Sequence, residues 1–152
     1  MVTVRITIDK SHLTNLNEKI PKIKEKGLNL SSQYMINRLQ KNSPVDHGLL
    51  KGWFVFDYTS GEEVKIKSPA HYVTFVNDGT GVYGPYNTPI YSKHIGKPMA
   101  FQVGGQMVYT RMIRGQKPQK IVERSIAEVE GKLGNLFIKA VREVLNWIYM
   151  KE

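Results

Sequence analysis

The residues best able to do chemistry in this chain are its histidines and one adjacent acid. Asp46 and His47 are neighbours in "NSPVDHGLL", and the remaining histidines are His12, His71 and His94. An Asp–His pair can serve as the acid–base half of a nucleophilic site, but neighbours in an extended chain point to opposite faces. No two histidines have the i, i+4 spacing of a helical metal site. We therefore interpret Asp46 as a turn or cap residue whose carboxylate accepts backbone N–H bonds.

Other patterns for chemistry are also incomplete. The segment "GTGVYG" at 79–84 is rich in glycine, but it lacks the spacing of a phosphate loop and no Lys-Ser or Lys-Thr pair follows it. The chain has no cysteine, which excludes disulfides and thiolate chemistry. We predict a protein that is not an enzyme and that holds neither a cofactor nor a metal. A hydrolase centred on His71 or His94 is a weaker alternative.

Charge is the unusual bulk property of the 152-residue chain. Its net charge is +9, whereas its hydrophobic content of 41% and charged content of 23% are ordinary for a globular protein. A basic protein associates with polyanions or with acidic protein surfaces. The one basic cluster, "KIPKIKEK" at 19–26, contains Glu25, and Ile20 and Ile23 predict a buried face. A solvated helix face is favoured over a nucleic-acid patch, because base-reading motifs are missing.

Neither the first residues of the chain nor its apolar runs indicate a membrane or secretory protein. The first residues, "MVTVRITIDK", lack the basic and then apolar layout of a signal peptide. No apolar run approaches the ~18 residues of a membrane helix. We expect a soluble intracellular product with no membrane partner.

The first third of the chain predicts one strand and two helical segments. Residues 2–8 alternate apolar and polar side chains, as a half-buried strand does. Ser11 is placed to cap a short helix that Pro21 bends or restarts. A second helix is predicted over 29–42, and it should end by Asn42 because Pro44 disfavours helical geometry in the residue before it.

Two hairpins supply the remaining strands. The runs at 53–59 and 62–68 are separated by Ser-Gly, and the runs at 99–103 and 106–113 by Gly104 and Gly105. With the strand at 2–8, these runs predict one antiparallel sheet of about four to five strands.

A long helical pattern closes the chain. Apolar residues recur at steps of three and four over 119–150, and Gly131 and Gly134 mark a kink, a break or a close approach to the sheet. The predicted class is α+β, with the antiparallel sheet packed by an N-terminal helix and a long C-terminal helix in a single domain, 1–152.

Residues 77–98, between the hairpins, predict a long loop rich in Gly, Pro and Tyr. Tyr83, Tyr86 and Tyr91 lie in it. A structureless loop of this length in a small domain is usually functional, and tyrosines make good contact residues. A mobile loop with incidental aromatics is the alternative.

Residues 42–53, "NSPVDHGLLKGW", resemble a known signature. It is "SPVDTGxLrxSw", which belongs to a family of tailed-phage head–tail joining proteins, also described as tail-component or neck proteins (the HK-ninety-seven-type gene-product-ten family). His47 stands where the family has Thr, and Gly52 where Ser or Asn is common. The matching positions are Ser43, Pro44, Val45, Asp46, Gly48, Leu49 and Trp53.

Two further segments are similar to the same family, in the family's order. "PAHYVTFVNDGTG" at 69–81 resembles "YaxYVEfGTG", with Thr74 in place of Glu and with Asn77 and Asp78 inserted. The matching positions are Tyr72, Val73, Phe75, Gly79, Thr80 and Gly81. "VYTRMIRGQKPQKIVERSI" at 108–126 resembles the closing element, in which a basic strand end, a Gly and a Pro precede the last helix. The likeness spans about residues 30–130.

The resemblance implies a structural virion protein of a tailed virus or prophage, in the neck or at tail completion. Its partners would be its own copies in a ring, the adjoining connector and tail proteins, and packaged DNA by non-specific contact. Its location would be the virion, and the host cytoplasm during assembly.

Two groups of residues follow from this reading. The first is a structural corner of Pro44, Asp46, Gly48, Leu49 and Trp53, in which Leu49, Leu50 and Trp53 are expected to be buried. The second is a candidate subunit interface of Tyr72, Phe75, Gly79, Thr80, Gly81, Tyr83, Tyr86 and Tyr91. The alternative function is a basic nucleic-acid-binding protein that stacks bases on loop tyrosines and binds phosphates with the lysine cluster.

Overall fold

A computed structural model describes residues 11–45, 48–59, 63–94 and 96–149 of the chain. Two long helices, α1 (Ser11–Asn42) and α3 (Ile121–Tyr149), make up most of its regular structure. A short helix, α2, covers Val73–Asp78, and two 3-10 turns cover Leu49–Lys51 and Gly81–Tyr83. Within these ranges, no helix combines the length and the apolar character that crossing a membrane requires.

Helix α1 is one element where the sequence predicted two. Pro21 lies inside it, and the helix continues on both sides of that residue. A proline removes one backbone hydrogen bond but does not by itself separate two helices that share a packing partner. The predicted end at Asn42 is confirmed: the backbone N–H and the hydroxyl of Ser43 both donate to the carbonyl of Leu39, at 2.9 and 2.6 Å.

Helix α3 is also continuous, and its two internal glycines do not break it. A Cβ added at Gly131 or Gly134 would meet no atom within 4 Å, so neither position is a close approach. The close approach lies on α1 instead, where a Cβ on Gly27 would lie 2.5 Å from the Phe137 ring of α3. Lys26 and Glu143 form an ion pair of 3.0 Å beside this contact. The two helices therefore pack tightly where α1 has no side chain.

The strands of the described residues form three separate antiparallel pairs in place of the predicted single sheet. The two predicted hairpins are confirmed, as β1 (Phe54–Thr59) with β2 (Glu63–Lys67) and β4 (Met99–Val103) with β5 (Gln106–Thr110). The third pair joins β3 (Ile90–Tyr91) to β6 (Met112–Ile113). The strand predicted at 2–8 lies outside the described residues. The α+β class is confirmed, with α1 packing on α3.

Contacts divide the chain into two compact units. The first unit comprises the described parts of Met1–Arg38, Trp53–Lys67 and Ile126–Glu152; the second comprises Leu39–Gly52 and Ser68–Ser125. Buried apolar side chains of the second unit include Leu39, Leu50, Val76 and Ile121. The single domain expected over 1–152 stays a prediction.

The described residues of 77–98 include regular elements, which corrects the expectation of a structureless loop. The segment contains the end of α2, the 3-10 turn Gly81–Tyr83 and strand β3. Its order comes from hydrogen bonds to residues 114–116, which are distant in sequence and could not be predicted from local patterns.

Candidate functional site

The candidate site is built on a junction between Gly79–Gly81 and Arg114–Gln116, which we call the glycine junction. The Thr80 N–H donates to the Gln116 carbonyl at 2.9 Å, and the Gln116 N–H donates to the Thr80 hydroxyl at 2.9 Å. The Val82 N–H donates to the Arg114 carbonyl at 2.8 Å. These bonds join two segments of the second unit that are far apart in sequence.

Glycine is required at this junction for two reasons. Gly81 and Gly115 have φ angles of +64° and +92°, which side chains rarely allow. A Cβ on Gly81 would lie 2.2 Å from the Arg114 carbonyl oxygen, and one on Gly115 would lie 2.1 Å from the Thr80 carbonyl oxygen. Gly79 is buried in the same contact. The "GTG" triplet therefore has an internal packing role in addition to any role in an interface.

Asn77, which with Asp78 is inserted relative to the signature quoted above, links α2 to the start of α3. The side-chain carbonyl of Asn77 accepts the Val122 N–H at 2.9 Å, and its amide donates to the Asp78 carboxylate at 2.8 Å. The Asn77 backbone carbonyl accepts the Lys120 N–H at 3.1 Å. Asn77 is buried, and it satisfies an N–H that the first turn of a helix leaves unpaired.

The structure describes four of the five residues of the structural corner, namely Pro44, Gly48, Leu49 and Trp53. Gly48 has a φ of +78° and precedes the 3-10 turn, as its expected role in a tight passage requires. Leu50 is buried, but Leu49 is 46% exposed, so its predicted burial is wrong. The 3-10 turn directs successive side chains to different sides, and only Leu50 points inward. Trp53 is half-buried, and Asp46 lies outside the described residues.

The three family-like segments meet in the second unit. Pro44, Gly48 and Leu50 of the corner line a cavity of about 280 Å³. Its other walls come from Tyr72 and Val76 of the second segment and from Gln116 and Gln119 of the third. The side-chain amide of Asn42 also donates to the Ser125 hydroxyl at 3.0 Å. Segments that are separate in the sequence thus form one framework.

An open groove of about 420 Å³ lies on this framework, and we call it the apolar groove. Phe75 and Tyr86 line it and are 59% and 87% exposed. Its other lining residues are Thr74, Asp78, Gly79–Gly81, Gly84, Pro85 and Thr88–Ile90. Among the predicted interface residues, Phe75, Gly79, Thr80, Gly81 and Tyr86 therefore share one surface feature.

The other predicted interface tyrosines lie outside the groove lining. Tyr91 is 63% exposed. Tyr72 and Tyr83 are half-buried: Tyr72 meets the His71 ring edge-on at 5.6 Å, and the Lys117 ammonium lies 5.8 Å from the centre of the Tyr83 ring.

The β4–β5 hairpin, which we call the arm, is a second exposed surface that sequence reasoning missed. Val103, Met107 and Tyr109 are 56%, 54% and 66% exposed. Gly104 and Gly105 at its tip have positive φ angles, as the sequence predicted. A signal was present in the sequence, since residues 98–110 include no Asp, Glu, Lys or Arg in a strongly charged chain.

Titratable groups of the described residues do not gather in either feature. No three His, Asp or Glu side chains within the described ranges lie close enough together to hold a metal ion. The pKa of Glu123 is lowered, first by a hydrogen bond from its own backbone N–H and then by bonds from Asn77 and Lys120. His71 and His94 are exposed.

The lysine cluster at 19–26 lies on α1, in the first unit. Lys22 and Lys24 are exposed, and Lys26 is paired with Glu143. Ile20 is exposed, so its predicted burial is wrong, whereas Ile23 is half-buried. The apolar stripe of this helix therefore begins later than the sequence pattern indicated.

Comparisons of the chain with protein-family models, with curated protein sequences and with solved structures give no match.

Proposed function

We propose that this chain is a structural protein of a tailed virus or prophage that assembles into a ring in the neck or at tail completion. Its partners are its own copies and the adjoining head and tail proteins. It acts in the virion, after assembly in the host cytoplasm. The proposal assigns no catalytic reaction and no cofactor to the chain.

The observation that carries the proposal is the meeting of the three family-like segments. A chance likeness would distribute matching residues over unrelated parts of a fold. Here the corner residues Pro44 and Gly48 line one cavity with Tyr72 and Gln116, and Thr80 is hydrogen-bonded to Gln116. The pattern that resembles the family thus corresponds to a connected set of contacts, which supports a common architecture.

The exposed surfaces of the second unit support a role in protein contacts. A ring subunit needs two different patches, because each copy meets one neighbour with each patch. The apolar groove and the arm are two such patches, and both expose large apolar side chains. Large exposed aromatic residues are typical of protein interfaces.

Negative-stain electron microscopy of the full chain over a range of concentrations tests the proposal against DNA binding. Closed rings of uniform diameter that persist without DNA would support it. DNA retardation that falls steeply with salt, from a chain that forms no ring at any concentration, would overturn it in favour of the nucleic-acid alternative.

A further inference from the structure

We propose that the arm of one copy packs into the apolar groove of the next copy, so that a second copy of this chain is the partner of both surfaces. This inference deepens the proposed function and rests on it. It assigns the residues of the contact between subunits, which the ring proposal alone leaves open.

The arm exposes apolar side chains on both of its faces. In the β4–β5 register, Phe101 lies opposite Val108, and Gln102 lies opposite Met107. Opposed residues share a face, and the faces alternate along each strand. Met107 and Tyr109 are therefore on one face, and Val103 and Val108 are on the other, and all four are exposed.

The arm is a two-stranded sheet. Neither β4 nor β5 pairs with a third strand of the described residues. An isolated two-stranded hairpin is at best marginally stable in water. Exposed edge strands are normally protected by charged residues, especially lysine. Residues 98–110 carry no charge, so the arm lacks this protection, which favours a covering partner.

The apolar groove is almost uncharged, as the arm is. The segment 79–92, which supplies most of its lining, also contains no Asp, Glu, Lys or Arg. Asp78 is the single charged residue of the lining. Placing the arm there would remove almost no charge from water, and that avoids the desolvation cost of an ionic interface. Phe75 and Tyr86 of the lining provide exposed aromatic side chains for the contact.

The lack of positive charge on the arm and in the apolar groove favours another copy of the chain over a polyanion as the partner. DNA binding depends on Lys and Arg contacts to phosphates, and neither the arm nor the segment 79–92 has any. The groove lining includes no residue of the arm, so the two are different patches. A contact between different patches of identical chains is heterologous, and it generates a ring if the rotation closes.

The exposed area is of the right order for a weak, concentration-dependent contact. An aromatic side chain presents about 200 Å², so the exposed parts of Phe75 and Tyr86 in the groove lining offer roughly 300 Å². The exposed parts of Val103, Met107, Val108 and Tyr109 offer a similar area. Burying both sets removes roughly 600–700 Å² in total, which is below the ~1,200 Å² of a small stable interface. Pairwise association should therefore be weak, and ring closure should stabilise it.

Disulfide cross-linking tests the pairing directly, because the chain has no cysteine of its own. Met107→Cys places a thiol on the arm, and Thr88→Cys places one in the groove. Both positions are exposed, so each variant should fold normally, and far-ultraviolet circular dichroism verifies this. Glu130→Cys, on the exposed surface of α3, is the matched control. The variants are oxidised singly and in equimolar pairs, and the products are separated without reductant.

The expected result is a cross-linked dimer in the mixture of Met107→Cys with Thr88→Cys, at least tenfold more abundant than in any mixture with Glu130→Cys. A dimer from Met107→Cys alone that matches the mixed product would indicate an arm-to-arm contact and overturn the proposal. Absence of cross-linking above the control at the highest soluble concentration would also overturn it.

A second variant separates this inference from the proposed function. Met107→Lys places a charge on the arm and should weaken self-association at least tenfold, whereas Asn135→Lys on exposed α3 should leave it unchanged. If rings form and Met107→Lys does not weaken them, the arm-in-groove contact is wrong and the ring proposal stands. If the unsubstituted chain forms no ring, the proposed function fails.

Discussion

Replacing Asn77 by alanine should remove the link between α2 and the start of α3. The substitution deletes the acceptor of the Val122 N–H, which lies 2.9 Å from the Asn77 side-chain oxygen. Loss of a capping side chain typically costs about 1 kcal/mol, and leaving a buried donor unpaired costs about 1–3 kcal/mol. Because Asn77 is buried, we expect Asn77→Ala to lower the free energy of unfolding by about 2 kcal/mol.

Urea and thermal unfolding, followed by circular dichroism, measure this change. For a chain of this size, a loss of about 2 kcal/mol lowers Tm by roughly 4–8 °C. Asn135→Ala is the matched control, since Asn135 is an exposed residue in the middle of α3. Alanine has the higher helix propensity, so this control should be neutral or slightly stabilising. Equal stability of the two variants would refute the capping role of Asn77.

The variant Asn77→Asp tests the same contact by its chemistry. An aspartate retains an oxygen to accept the Val122 N–H, and a negative charge is favourable at a helix N-terminus. It also loses the amide that donates to Asp78 at 2.8 Å and places a second carboxylate beside it. We expect a stability between those of Asn77→Ala and the parent. A loss as large as that of Asn77→Ala would show that the acceptor is unimportant.

Three further predictions concern close backbone contacts and one carboxylate. Gly115→Ala should lower the free energy of unfolding by at least about 3 kcal/mol, because the added Cβ overlaps the backbone of Thr80. Gly104→Ala, whose Cβ would lie in open space, should lower it by only about 1 kcal/mol because of the positive φ. Equal losses in urea titrations would refute the close backbone contact at Gly115. Gly27→Ala should destabilise the protein by about 1 kcal/mol, because its Cβ overpacks against the Phe137 ring. Gly131→Ala, in open space on α3, should stabilise it by about the same amount. A stabilising Gly27→Ala would contradict the contact between α1 and α3. The lowered pKa of Glu123 means that its carboxylate stabilises the fold at pH values above the ordinary carboxyl pKa, and this stabilisation is lost as pH falls through the lowered value. Glu123→Gln should therefore make the free energy of unfolding less dependent on pH in the acid range. An unchanged dependence on pH would contradict this.

Local chemistry in the sequence predicted the hairpins and one helix end correctly. Gly104 and Gly105 adopt the positive φ angles that a two-residue turn requires, and the serine before Pro44 ends α1 at Asn42. These features depend on a few neighbouring residues, so a single sequence contains the necessary information. The expectation that Gly48 allows a tight turn of the backbone is met for the same reason, since its φ is +78°.

Contacts between distant segments could not be predicted in the same way. Nothing local specifies that Thr80 pairs with Gln116 or that Asn77 caps α3, and these contacts order the segment expected to be a loop. The strands were assigned to one sheet because strand patterns do not identify partners. The arm was recognised as a hairpin, but its uncharged strands were assigned to the sheet, so its exposure was missed.

The mass of the assembled species, measured by native mass spectrometry of the full chain, tests head-to-tail self-assembly most directly. We predict monomers at low concentration and a single closed multimer at high concentration, in both low and high salt, because the arm and the groove are almost uncharged. A monomer at every concentration, or an unlimited ladder of masses without a preferred multimer, would contradict the account.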